Sequence, residues 1–309
     1  MMKMALRIAA LFVAYGSIGL GGDYAVGLLA RDAGDVEPLR EVEVDVRVGP
    51  RVVVDVQPTI VSRVQVRHSG ECSYQLDREL TIQAAGVGEL AIRAGSGNLH
   101  VEGQAGLEEI VVLGLVCASH EEYVAELDLS VERASSGDLT LVTHYPRDRN
   151  LDGRNNTARI DLTVLVPVNM NVDIDDSSGE IQVSGTGDLR IDDSSGSIQV
   201  SDVNGSLLID DSSGDLDVSN VAGDVQIEDG SGGLEVRGVA GSVMLRDGSG
   251  GIELSDIDQN VLIEADGSGG IEVQGVGGDF TVDRDGSGGI RHSGVEGRVE
   301  IPVRRRRGN

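Results

Sequence analysis

Seven aspartates, Asp175, Asp192, Asp210, Asp229, Asp247, Asp266 and Asp285, each stand two residues before a serine and four before a glycine in an Asp-x-Ser-x-Gly phrase. The phrase recurs every 17 to 19 residues. If each copy is one coil of a stack, the carboxylates fall one strand spacing apart, about 4.8 Å. Like charges that close repel by roughly 1 kcal/mol per neighbour in water. Three arrangements would relieve this. The side chains can cap the following Ser and Gly amides as Asx turns, splay into water, or share bound cations, for which calcium suits oxygen ligands. In the calcium-binding nonapeptide repeat the Asp lies two residues before the inward aliphatic, whereas Asp229 lies five before Leu234, so capping is favoured over calcium.

A second oxygen-rich stretch is Asp148-Arg-Asn150-Leu-Asp152-Gly153, which opens like a calcium loop. Its twelfth position is Arg159 rather than the bidentate Glu such a loop needs, and a hairpin loop between strands at Leu139 to Thr143 and Arg159 to Val166 accounts for it equally well. The five histidines, at 68, 100, 120, 144 and 292, lack metal-ligand spacing, and no serine lies in a nucleophile-elbow pattern. No catalytic residue and no cofactor is expected, calcium apart. Two cysteines, Cys72 and Cys117, are an even pair for one disulfide if the chain leaves the cytoplasm, with two buried free thiols as the alternative.

The elements that position these residues follow from the period. A repeat near 18 residues with two aliphatic pairs is one coil of a solenoid. Leu234 and Val236, then Val239, then Val243 and Leu245 form an inward set, alternating with outward Glu235 and Met244. The set recurs at Ile198, Val200, Val203, Leu207 and Ile209, and at Ile271, Val273, Val276, Phe280 and Val282. Aromatics are 2% of 309 residues, with no Trp, and glycines number 44, which suits thin aliphatic layers and frequent turns. Degenerate copies occur earlier, around Ala94-Gly-Ser-Gly97 and Ser135-Ser-Gly137, and strand patterns run over Val42 to Val48, Val52 to Val56, Val64 to Val66 and Asp161 to Pro167. The reading is an all-β chain: a parallel β-solenoid of 17–19-residue coils over 171–303, preceded over 40–170 by a degenerate, partly antiparallel β region. In the last coil His292 replaces the inward aliphatic, as at a cap.

Net charge is −27, and residues 171–300 carry 28 acidic residues against six arginines, a net of −22. That excludes nucleic acid as a natural partner and favours cations or basic surfaces. The N-terminus, with Lys3 and Arg7, an apolar run from Ile8 to Ala14 and small residues at Ala14 and Gly16, resembles a secretory signal peptide over 1–16, extending to about 30 if the cut lies later. An uncleaved anchor is the rival and the one route to a membrane. The tail 304–309 holds four arginines and reads as a disordered end.

Leu162-Thr-Val-Leu-Val-Pro167, Asn171-Val-Asp-Ile-Asp-Asp-Ser-Ser-Gly-Glu-Ile-Gln-Val183 and the repeated Ser-Gly-Asp/Gly-Ile/Leu units resemble the bacterial putative-adhesin family of β-strand repeat proteins, over about residues 90 to 301. The resemblance implies an exported, non-catalytic β-solenoid of the cell envelope, in the periplasm, on the outer surface or secreted. Its partner would be an envelope or surface protein or a glycan. A calcium-stabilised structural module is the alternative, and a polysaccharide-acting β-helix enzyme a third reading.

Overall fold

A computed structural model describes residues 61–65, 72–146 and 157–302. The patterns at Val42 to Val48 and Val52 to Val56, the signal-like N-terminus, the loop holding Asp148, Asn150 and Asp152, and the tail 304–309 lie outside the described residues. All that follows concerns the compact unit Val52–Asn309.

The first strands are β1 (Val61–Gln65), β2 (Tyr74–Gln83), β3 (Glu89–Arg93), β4 (Leu99–Gln104) and β5 (Glu109–Ala118). A one-turn helix, α1 (Glu121–Val124), leads to β6 (Asp128–Arg133), β7 (Leu139–His144) and β8 (Ala158–Pro167). The regular coils supply β9 (Asn171–Asp176), β10 (Ile181–Ser184), β11 (Leu189–Asp193), β12 (Ile198–Val203), β13 (Leu207–Asp211), β14 (Leu216–Val221), β15 (Val225–Asp229) and β16 (Leu234–Val239). They continue as β17 (Val243–Asp247), β18 (Ile252–Ile257), β19 (Val261–Asp266), β20 (Ile271–Val276), β21 (Phe280–Val282), β22 (Ile290–Val295) and β23 (Val299–Glu300).

These strands form two sheets, facing each other across an aliphatic core. From β10 onward the even-numbered strands extend a 12-stranded sheet, and from β9 onward the odd-numbered ones extend an 11-stranded sheet. Each coil contributes one strand to each, paired parallel and in register with the next: Leu216, Val218 and Val221 of β14 stack on Leu234, Val236 and Val239 of β16. The expected inward set is buried, with Leu234, Val236, Val239, Val243 and Leu245 each at most 2% exposed, while Met244 faces outward. Period-2 alternation accounts for this: a coil with branched aliphatics at every second position buries one face of each strand and leaves the other wet.

Between the inward pair and the corner residue that follows, a valine in most coils, Thr186 or Ile257 in two, the chain passes through a left-handed residue: Gly185, Asp202, Asn220, Gly238, Asp256, Gly275 and Gly294 have φ between 55° and 72°. Gly, Asn and Asp are the residues that tolerate this region. The kink turns the corner valine (Val203, Val221, Val239) back into the core, all three being at most 2% exposed.

The early region is partly antiparallel, as expected. Strands β1, β2, β5 and β8 pair antiparallel in sequence along the 12-stranded sheet, and β6 pairs antiparallel with β7 at the end of the other. The degenerate copy at Ala94–Gly97 is a true coil turn between β3 and β4, whereas Ser135–Gly137 forms the turn of the antiparallel β6–β7 hairpin and is not a coil position, and the stacking order of the early strands departs from chain order. β3 lies between β7 and β9, parallel to both, and β4 lies between β8 and β10. Strands β7 and β8 fall in different sheets, so the hairpin expected between Leu139–Thr143 and Arg159–Val166 does not form. The side-chain pattern of each strand specifies a layer but not which neighbour fills the layer above it.

Cys72 and Cys117 are joined as a disulfide, with Cα atoms 5.4 Å apart, tying the start of β2 to the end of β5. No helix among the described residues is long and apolar enough to cross a membrane.

Candidate functional site

The seven aspartates of the recurring phrase do not form one column. Asp175 pairs with Asp192, Asp192 with Asp210, and Asp210 with Glu228, all on the outer face of the 11-stranded sheet. Asp229 pairs instead with Asp211, then with Asp247, which pairs with Asp266, and Asp266 with Asp285. Two ladders run side by side. The inward one is Asp176, Asp193, Asp211, Asp229, Asp247, Asp266 and Asp285, so Asp175, Asp192 and Asp210 are its outward neighbours and not members.

The correction comes from the phrase itself. Asp-Asp-Ser-Ser-Gly in three coils aligns with Asp-Gly-Ser-Gly in the other four, so the equivalent glycines are Gly179, Gly196, Gly214, Gly232, Gly250, Gly269 and Gly288, all at φ between 138° and 158°. A Cβ on Gly196 would collide with the Gly179 carbonyl oxygen of the coil before, which explains why glycine stands at this step of every coil.

The inward carboxylates sit at the mouth of the Ser-Gly turn. Asp211, Asp229 and Asp247 each accept a hydrogen bond at Oδ1 from the backbone N–H two residues on, Ser213, Ser231 and Ser249, at 3.0–3.1 Å. These are the Asx turns expected from the spacing, made by Asp229 and Asp247 as predicted and by Asp211 where Asp210 was predicted. Oδ2 of these three, and both oxygens of Asp176 and Asp193, make no hydrogen bond of good geometry, although the backbone amides of Ser177 and Ser178 and of Ser195 and Ser194 lie close enough to favour the charged forms of Asp176 and Asp193. Burial is nearly complete: Asp176, Asp193 and Asp211 are 2–3% exposed, Asp229 6% and Asp247 5%.

Loss of hydration raises the pKa of all five, making them weaker acids, and neighbouring carboxylates push in the same direction. Desolvation followed by the charge of Asp193 lifts Asp176 to about 7. Desolvation, with Asp193 and Asp229 adding, lifts Asp211 to about 6. Asp247 rises to about 7 through desolvation and then Asp229 and Asp266. Asp193 and Asp229 are raised by the same burial.

At the N-terminal end the column stops against uncharged groups. Ala94 occupies the next position, its N–H bonded to the Asp175 carbonyl, and the Tyr145 hydroxyl donates to the Ser96 carbonyl and accepts from the Ser96 N–H, both at 2.8 Å. Desolvation raises the Tyr145 phenol too.

The outward acids belong to two exposed ladders. On the 11-stranded sheet Asp175, Asp192, Asp210 and Glu228 are flanked by Arg93, 3.9 Å from Asp175, and Arg246, 3.9 Å from Glu228. On the 12-stranded sheet Asp217, Glu235, Glu253 and Glu272 stack in register. Arg237 bridges Asp217, at 2.9 Å, and Glu235, and Arg291 holds Glu272 at 2.8 Å. Beside the first ladder a shallow groove of about 460 Å³ runs across the coils, lined by Arg190, Leu208, Gln226 and Met244 with Asp188 and Asp224 at its rim.

Among the described residues no group of three His, Cys, Asp or Glu side chains is arranged to hold a metal ion. His292 stands opposite Val273 in the last coil, exposed, its ring 6.0 Å from Phe280, in the capping position expected. The inward aspartates Asp176, Asp193 and Asp211 were missed by reading the phrase from its last glycine. Strand parity identifies them: Leu207 and Ile209 point inward, so Asp211 does and Asp210 does not.

No family model matches the chain, and no curated protein matches it. Among solved structures it is similar to a putative cell adhesion protein from Clostridium sporogenes, at 13% identity and a TM-score of 0.25, over 79% of this chain and 99% of that one. It is also similar to a putative lipid binding protein from Parabacteroides distasonis, at 15% identity and a TM-score of 0.38, over 72% and 96% of the two chains.

Proposed function

We propose that the chain is an exported, non-catalytic scaffold of the cell envelope that presents a rigid acidic surface to a basic protein or to a glycan. The observation that supports this most directly is the exposed, in-register ladder Asp217, Glu235, Glu253 and Glu272. Its backbone is fixed by parallel pairing on both sides, so the charges keep a constant pitch and a partner meets them without ordering a loop. Two arginines compensate its ends, and Glu253 between Glu235 and Glu272 remains available. Such a face steers a cationic partner and repels nucleic acid and anionic membrane.

Two experiments test the proposal. Protease treatment of an epitope-tagged chain on intact source cells should cleave it if the solenoid is on the surface; protection until the envelope is permeabilised confines it to the periplasm, and protection until the cytoplasm is opened removes the export reading. Binding of the purified chain to the envelope fraction should weaken as salt rises and weaken further in the E235Q/E253Q double variant. Binding indifferent to both would refute the acidic face as the contact.

A further inference from the structure

Five rungs of the inward ladder, Asp176, Asp193, Asp211, Asp229 and Asp247, are buried carboxyls whose neighbouring charges repel them. The charges acting most strongly on them are acidic: Asp193 and Asp175 on Asp176, Asp192 on Asp193, Asp193 and Asp229 on Asp211, Asp215 on Asp229, and Asp229 and Asp266 on Asp247, while Asp229 and Asp247 are also close enough to share a hydrogen bond. The remaining charged groups on the same strands, Asp173, Arg190, Asp210, Glu228, Arg246 and Glu264, lie on the outer face, where Arg190 is engaged by Asp173 and Asp192 and Arg246 by Glu228 and Glu264. At the N-terminal end the neighbour is the Tyr145 phenol. The oxygens without a well-formed hydrogen bond, both of Asp176 and of Asp193 and Oδ2 of Asp211, Asp229 and Asp247, are buried from solvent.

A buried carboxylate oxygen without a donor costs free energy unless something positive reaches it. Calcium would need six to eight oxygens at 2.3–2.6 Å about one point. The ladder offers a line of carboxyls rather than a cage, consistent with the absence of a three-ligand group among the described residues. The main-chain carbonyls of Asp211, Asp229 and Asp247 already accept from Gly230, Gly248 and Gly267 of the next coil at 2.8–3.0 Å. A proton needs two oxygens only, about 2.5–2.7 Å apart, and side-chain adjustment between coils about 4.8 Å apart can provide that.

We propose that the inward ladder is a row of proton-binding sites, in which neighbouring aspartates share protons across coils and lock the stack when protonated, and repel one another and loosen it when the protons leave. The raised pKa values, about 6 at Asp211 and about 7 at Asp176 and Asp247, put the change near neutral pH. The proton moves between solvent and carboxylate oxygen, with no other bond made or broken. The buried rungs from Asp176 to Asp247 thereby couple the rigidity of the coils to the acidity outside.

Infrared titration of the full chain, in chelator-treated buffer, reads the carboxyl protons directly. The protonated-carboxyl C=O band should retain a component that disappears with midpoints near 6 to 7. That component should shrink in Asp247→Asn and persist in Asp210→Asn, which removes an outward charge one residue from the next rung. Complete loss of the band by about pH 5, as for ordinary carboxyls, would overturn the proposal. So would a melting temperature at neutral pH that rises with millimolar calcium and falls with EDTA, since cations would then occupy the column. The wild-type titration decides the matter even if Asp247→Asn fails to fold.

Discussion

Replacing Asp247 by Asn should reverse sign across neutral pH. Asn keeps the acceptor that Ser249 N–H uses and supplies N–H groups to the neighbouring rungs, without a charge to desolvate. The Asp247 carboxyl is raised in the folded chain to about 7, against about 3.9 when unfolded. A carboxyl raised by folding binds its proton more tightly in the native state, so its contribution is complete below about pH 4 and is lost as pH rises through 7. Applying linkage to these two values, the wild type loses about 2.5 kcal/mol through this one group between pH 5 and pH 8. That figure is an upper bound, because coupled neighbours take up part of the change. Asp247→Asn should therefore lie near or slightly below wild type at pH 5 and above it at pH 8, a relative shift of several degrees in melting temperature at about 2–4 °C per kcal/mol. The control is Asp210→Asn, which removes the same formal charge from the exposed ladder and should run parallel to wild type. The assay is a set of thermal melts of all three chains at fixed ionic strength across pH 5 to about 8. If Asp247→Asn and Asp210→Asn follow the same pH profile, the inward column does not hold protons and the reasoning from burial fails.

Gly250→Ala, at φ 156° and with the Gly232 carbonyl oxygen in the path of the new methyl, should cost about 2–5 kcal/mol in denaturant melts, whereas Gly251→Ala, where nothing lies within 4 Å, should change stability by less than about 0.5 kcal/mol. Reducing Cys72–Cys117, or replacing both by Ala, should lower stability by about 2–4 kcal/mol, and hydrogen exchange should locate the loss in β2 and β5 rather than in the coils after β16. Glu253→Gln should leave the fold intact and reduce retention on an anion exchanger, whose resin is cationic, by a small step, while lowering salt sensitivity of envelope binding measurably more than Asp210→Asn does.

The period and the inward aliphatics were legible because they follow from local alternation. Leu234, Val236, Val243 and Leu245 could not all be buried in any other element of that length. The Asx turn was legible in kind, since Asp two residues before a Ser N–H has one short bond to make. The register of the Asp column was obscured by doubled residues on both sides: Asp175-Asp176 and Asp192-Asp193 offer two candidates, and Gly232-Gly233 and Gly250-Gly251 offer two anchors. The 19-residue spacing from Asp247 to Asp266 hid it further, because the extra residue, Glu264, sits inside β19, where its register with β17 shifts between Leu245 and Arg246. What no local pattern carries is the order of stacking. Leu90 and Ile92 say that β3 is one layer of a coil, and nothing in them selects β7 and β9 as its neighbours.

That order sets how the chain can assemble. Strands β3 and β4, near residue 90, find their partners only after residues up to 184 are available, since β3 is flanked by β7 and β9 and β4 by β8 and β10. The base of the stack is thus a knot of contacts far apart in sequence, expensive in loop-closure entropy and slow to form. Beyond β10 each coil lands on the one just finished, some 18 residues earlier, so growth is local and quick once a template exists. Folding of this molecule is a rate-limiting foundation followed by zippering toward the C-terminus, and the foundation rather than any of the repeats decides how long the chain remains unprotected.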